Sequence, residues 1–183
     1  MPRPRKFDTE EAVEQFMELF WANGFSAVSI KDIAQRTGLR PGSLHAAFGN
    51  KDDMFTIAFE RYGQNFRDHM NIAEKGLEGA KAYLDQLVRS AIADADRKGC
   101  LIVNTAHELD AHTPAIRQKT TDRLEDMKAF FRARLSEDGI SSERQCNALF
   151  GAAVSVLTLA RSNQPEYTLR DIVSVAVSST NEE

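Results

Sequence analysis

Between Ser29 and Lys51 the chain is punctuated so tightly that its path is nearly forced. Ser29 stands three residues before Asp32, the spacing at which two side chains cap a helix start reciprocally. Ile30, Ile33 and Ala34 then give one apolar face to a short helix. Gly38 follows Thr37 and suits the left-handed conformation that ends it. Pro41 fits the first turn of a second helix. Leu44 and Phe48 would anchor that helix in a core, and Gly49-Asn50 stops it. Ala34 is small where one helix must cross close to the other. Two short helices joined by a tight turn form the helix-turn-helix pattern, whose second helix enters the major groove by its N-terminal end. A plain helical hairpin with a solvated basic face is the alternative.

Charge favours the first reading. The net charge is −4, which taken alone argues against a nucleic-acid partner. Its distribution argues otherwise: residues 1–6 carry +3, residues 7–27 carry −5, residues 28–51 carry +3 and the remainder −5. Two basic islands in an acidic protein imply a local anionic partner. On the second helix Arg40, Ser43 and His45 should be exposed; Arg can fork onto a guanine edge, and Ser or His can donate to phosphate or base. Free amides at the helix starts near Ser29 and Lys51 suit phosphate oxygens. Lys6, Lys31, Pro41 and Gly42 complete the expected DNA-facing set.

The rest also reads as helix, so the expected fold class is all-α with about nine helices. The first should start at Asp8, with Glu11 at the capping-box position, and stop at Asn23-Gly24. A longer helix should run from about Asp52. Others fit Ala80 to Arg97, Cys100 to Ala111, Pro114 to Glu137, Ser142 to about Ser162, and Thr168 to Ser178. The expected domains are 1–51, a three-helix helix-turn-helix DNA-binding domain, and 52–183, a helical regulatory and dimerisation domain. Only two cysteines occur, which excludes a disulfide-built secreted scaffold. With no secretory signal at the N-terminus and no apolar run long enough to span a bilayer, a cytoplasmic location without membrane contact is expected.

The run Ser29-Ile30-Lys31-Asp32-Ile33-Ala34, then Gly38, then Pro41-Gly42-Ser43-Leu44-His45-Ala46-Ala47-Phe48-Gly49-Asn50-Lys51 resembles the DNA-binding domain of TetR-family transcriptional regulators. That family usually has tyrosine after the leucine, then phenylalanine, then lysine. Here the residues are His45, Phe48 and Lys51, so histidine replaces the tyrosine. The resemblance is specific over residues 8–60. It implies a homodimer, a ligand pocket in the C-terminal domain, and repression of transcription from palindromic double-stranded DNA.

Ala148 to Leu157 is apolar nearly all round, so a second subunit is expected to cover part of it. Phe150, Gly151, Val154, Ser155, Leu157 and Thr158 are the interface candidates there, with Ile172 and Val175 on the last helix. A core helix of a monomer is the alternative.

Phe59, Tyr62 and Phe66 recur with Phe55 at helical spacing and, with Met127 and Phe131, are candidates for a ligand pocket or for plain core. Cys100 should sit in the first turn of a helix, where the dipole, aided by Arg97 and Lys98, would lower its thiol pKa. A glycine-cysteine-leucine step followed by asparagine also resembles a subset of the family, some of which sense electrophiles or oxidants through the cysteine. A buried structural cysteine is the alternative. His107 and His112 lie five apart, on different helix faces, and two ligands are too few for zinc. No metal and no cofactor are therefore expected.

The leading reading is a dimeric repressor released by a small molecule or by modification of Cys100. A thiol-dependent enzyme using Cys100 with His107 or His112, and a helical interaction module without specific DNA binding, stand against it.

Overall fold

The computed structural model describes residues 7–179, and among these there are nine α-helices and no strand. They are α1 (Thr9–Asn23), α2 (Ile30–Thr37), α3 (Pro41–Phe48), α4 (Lys51–His69), α5 (Gly76–Ala93), α6 (Leu101–Ala106), α7 (Pro114–Glu137), α8 (Glu143–Arg161) and α9 (Glu166–Ser178). A single 3-10 turn, Leu109–Ala111, lies between α6 and α7. The all-α architecture is as the sequence implies: a three-helix helix-turn-helix unit followed by a larger helical unit.

The local rules hold best where the capping residues are sequence neighbours. Ser29 and Asp32 cap α2 reciprocally, and Gly38 ends it at φ 68°. Asn50 and Asp53 form a second reciprocal cap on α4, so that helix starts at Lys51. At α1 the reciprocal cap does not form. The Asp8 carboxylate accepts from the amides of Glu10 and Glu11, while the Glu11 side chain turns along the helix to Gln15.

Where the boundaries differ from expectation, the cause is long-range. Helix α5 begins at Gly76 because two carboxylates at the end of α7 cap it: Glu137 accepts from the Gly76 amide and Asp138 from the Leu77 amide, each at 2.7 Å. It ends at Ala93 because Asp94 folds back to accept from the amides of Asp96 and Lys98. The helix expected over Cys100 to Ala111 stops at Ala106. Beyond it, Glu108 is drawn across to the amides of Phe25 and Ser26.

One core runs through both units. In the first, Phe16, Phe20, Ile33, Leu44 and Phe48 are buried together. Ring contacts then lead from Phe7 through Phe48, Phe16 and Phe20 to Phe55 and Phe59 of α4. Truncating such a buried ring to alanine costs about 3–5 kcal/mol, so this chain of rings fixes α1 against α4. In the second unit α5 lies between α7, α8 and α9, and α8 packs along α9.

Candidate nucleic-acid interface and effector cavity

The helix-turn-helix buries Ile33, Leu44 and Phe48 and leaves the opposite side to solvent. Lys31, Arg40, Pro41, Gly42, Ser43 and His45 are all exposed there, with Arg36 beside them on the last turn of α2. Arg40 sits at the N-cap of α3 and makes no capping bond, so its guanidinium is uncommitted at the end that a groove-reading helix presents. Arg36 was not singled out from the sequence, although its place in the second basic island was the available signal. Lys6 lies outside the described residues.

Three expected contacts are changed by local bonding. The Ser29 hydroxyl is spent on Asp32, which leaves the first-turn amides rather than the side chain for an anion. His45 Nδ1 lies 3.0 Å from the Gly49 carbonyl. With a proton on Nδ1 the neutral ring points an acceptor, not a donor, outward, so the expected donation to phosphate needs the imidazolium. Lys51 places its ammonium 4.2 Å over the Phe25 ring and is half-buried.

A second site lies between α1, α4 and α5. It is a cavity of about 260 Å³, lined by Met17 and Trp21 of α1, Tyr62 and Phe66 of α4, Leu87 of α5, and Cys100. The aromatic stripe of α4 therefore divides. Phe55 and Phe59 pack the core, whereas Tyr62 and Phe66, one and two turns on, line the cavity beyond the α1 crossing. Phe59, Met127 and Phe131 are completely buried and do not line it, which is the plain-core alternative for these three. Trp21 and Met17 were missed because their helix reads from sequence as part of the DNA-binding unit alone.

Cys100 is 1% exposed and is the N-cap of α6. Burial pushes its thiol above the ordinary value, opposed by the hydrogen bond to Tyr62 and by the amides of Val103 and Ile102. The expected lowering is thus reversed, because desolvation outweighs the helix start. Lys98 gives no help: its ammonium bonds Glu18 at 2.8 Å and lies 4.4 Å over Trp21. His112 is buried against the rings of Phe25 and Phe55 and does not line the cavity with Cys100.

The loop before Cys100 is tied down from three sides. The Trp21 indole donates to the Gly99 carbonyl at 3.1 Å. Asn104 donates to the Lys98 carbonyl at 2.9 Å. Arg161, at the end of α8, donates to the carbonyls of Trp21, Ala22 and Lys98. Gly99, at φ 71°, lies so close to α8 that a β-carbon would stand 2.9 Å from the Leu157 carbonyl.

The model for bacterial regulatory proteins of the tetR family matches residues 13–56, and that for the tetracyclin repressor-like C-terminal domain matches residues 76–165. The chain belongs to the TetR family. Its α1 to α3 are that family's helix-turn-helix. Among its relatives, the HTH-type transcriptional repressor ComR of Escherichia coli is 30% identical over 112 residues, covering 58% of this chain. That match spans only about half, 53%, of ComR's own length. The HTH-type regulator YezE of Bacillus subtilis is 28% identical over 183 residues, covering 96% of this chain and 90% of YezE. A cysteine mutant of the TetR-family regulator CifR, solved with a 26-base-pair operator duplex, superposes with a TM-score of 0.83 at 26% identity, covering 96% of this chain and 98% of CifR.

The exposed large apolar side chains among the described residues lie on α9. Tyr167 and Val175 are 69% and 70% exposed. Phe150, Gly151, Val154, Ser155, Thr158 and Ile172 are all half-buried. Leu157 turns the other way, is 6% exposed and packs the core, which removes it from the interface candidates. Of the described residues, no helix is long and apolar enough to cross a membrane.

Proposed function

We propose that this chain is a homodimeric, sequence-specific DNA-binding transcriptional repressor that acts in the cytoplasm. The observation that carries the reading is the bare N-terminal end of α3, with Arg40, Ser43 and His45 exposed and Lys31 beside them. Family membership supports it, as do the repressor ComR and the operator-bound CifR. Arg40 reads a base edge, while Lys31 and the first-turn amides of α2 and α4 hold phosphates. Dimerisation through the exposed face of α8 and α9 sets two α3 helices on a palindrome, with half-sites roughly 34–36 Å apart or a multiple of that.

Release of the DNA is assigned to the cavity between α1, α4 and α5. A molecule there touches α1, a helix of the reading head, and α5, a helix of the body, at once. Binding one arrangement of the two units better than the other shifts the population between them. A second reading has its own observation: Cys100 lines the same cavity, so an electrophile or oxidant entering it would meet the sulfur.

The test is selection of bound sequences from random duplex DNA by the reduced full-length chain, repeated after mild peroxide or quinone. An enriched palindrome is expected, and its absence removes the regulator reading. Loss of the palindrome on treatment, abolished by Cys100→Ser, selects the thiol over the small-molecule route.

A further inference from the structure

The cavity wall is electrically one-sided. Its acidic members are Glu14, Glu18 and Asp94, and neither a lysine nor an arginine lines it. The cations that pair with two of these carboxylates stand outside the lining: Arg61 Nε is 2.5 Å from Glu14, and Lys98 Nζ is 2.8 Å from Glu18. Asp94 has no cationic side chain in hydrogen-bond contact and is held by amides of Asp96 and Lys98. Glu14 and Glu18 are thus paired, with the Lys98 ammonium 4.4 Å over the Trp21 ring, and Asp94, whose charge also acts on Lys98, makes no ion pair within hydrogen-bond range among the described residues. His69 is the one basic side chain in the lining, and its Nδ1 faces the Asn65 carbonyl at 2.7 Å.

The remaining wall sets the aromatic Trp21, Tyr62 and Phe66 beside the aliphatic Met17, Leu87 and Leu157. Trp21 and Tyr62 meet edge to face at 5.0 Å between centroids, and Phe66 lies a turn beyond. Such faces attract planar rings and cations. Gln86 and Ser90 line the cavity and make no side-chain hydrogen bond to a described residue, so neutral donors and acceptors stand ready. At about 260 Å³ the space holds one small fused-ring molecule, just below the usual range for ligand pockets.

We propose that this cavity is the effector site and that its effector class is a small planar aromatic cation, with carboxylates and phosphates rejected. The inference rests on the regulator reading for its biological consequence, but its test needs no DNA. Failure to select an operator would leave it standing.

Trp21 is the only tryptophan of the chain and lines the cavity, so its fluorescence reports occupancy. The full-length protein is titrated with three probes of one ring shape: 9-aminoacridinium, neutral acridine and acridine-9-carboxylate. Saturable quenching is expected with the cation tightest, by about tenfold over the anion, the scale of a reversal of one unit charge, well screened. Glu18→Gln leaves Lys98 without its partner and should narrow that gap severalfold. Ala91→Phe fills the space and should abolish quenching by the cation; Ser90→Phe, at an exposed rim position, serves if the first variant fails to fold. Equal or tighter binding of the anion overturns the charge assignment. No saturable quenching by any probe, or quenching that survives both filling variants, overturns the site.

Discussion

Glu108 joins the body to the reading head through one carboxylate, and its removal has a magnitude that the structure sets. Oε2 accepts from the Phe25 amide at 3.1 Å and from the Ser26 amide at 3.3 Å. Gly24 packs against the same carboxylate at φ 82°, so that a β-carbon there would collide with it. Glu108→Ala strips both amides of their acceptor. Ser26 is exposed, and water replaces that bond at a cost of about 0.5 kcal/mol; Phe25 is half-buried, and losing a charged acceptor there costs about 1.5 kcal/mol. The expected loss is about 2 kcal/mol, or about 4–8 °C in Tm for a chain of this size. Glu108→Gln keeps an acceptor and should lose about half as much. Urea unfolding of the full chain measures it, at one fixed protomer concentration because dimerisation shifts the midpoint by mass action. Gly24→Ala attacks the same contact, so the double variant should lose less than the sum. An unchanged midpoint at unchanged slope for Glu108→Ala would refute the reasoning. The bonds would then be freely exchanged for water, and the α1–α2 loop would be held by packing alone.

Four further outcomes are expected. Arg40→Ala should relax preference at one base pair per half-site by ~1–3 kcal/mol, and an unaltered selected motif would remove Arg40 from base reading. Val154→Glu and Val175→Glu should each give monomers in sedimentation and lower operator affinity by orders of magnitude; an intact dimer in both would place the interface elsewhere. Iodoacetamide should label Cys100 in the native chain more slowly than in the unfolded chain at pH 8, because burial holds its thiol above the ordinary value; faster native labelling would contradict the burial. Burial also pushes the His112 imidazole below its ordinary 6.5, so the unfolded chain binds the proton more readily. Stability should be flat with respect to this group above pH 6.5 and fall as pH drops below it, and His112→Phe should flatten the fall in urea midpoints between pH 7 and 5.5.

What the sequence made legible was local. Ser29 with Asp32, Gly38 and Pro41 act on neighbours within four residues, and the helix-turn-helix they specify lies where those residues put it. The limits of α5 were hidden because its cap comes from Glu137 and Asp138, about sixty residues away. The burial of Cys100, left open by the sequence, was hidden for a related reason. The helix start beside it is visible in sequence, whereas its burial among residues of α1, α4 and α8 is not. The aromatic stripe of α4 shows the same limit: periodicity identifies the face, and only the crossing of α1 decides which rings meet core and which meet a cavity.

Arg161 bears on how such a dimer measures DNA. It ends α8, the helix that carries most of the interface candidates, and it grips the carbonyls of Trp21 and Ala22 near the end of α1. In the proposed dimer one rigid rod therefore meets its twin at the dyad along its side and holds a reading head by its tip. The separation of the two heads is geared to that rod, and the Lys98 carbonyl, gripped by the same guanidinium, belongs to the loop that borders the cavity. In that dimer the number of base pairs between half-sites would follow α8 and its terminal arginine, and the letters within each half-site would follow α3. The two can diverge independently, so relatives that share a half-site need not share a spacer.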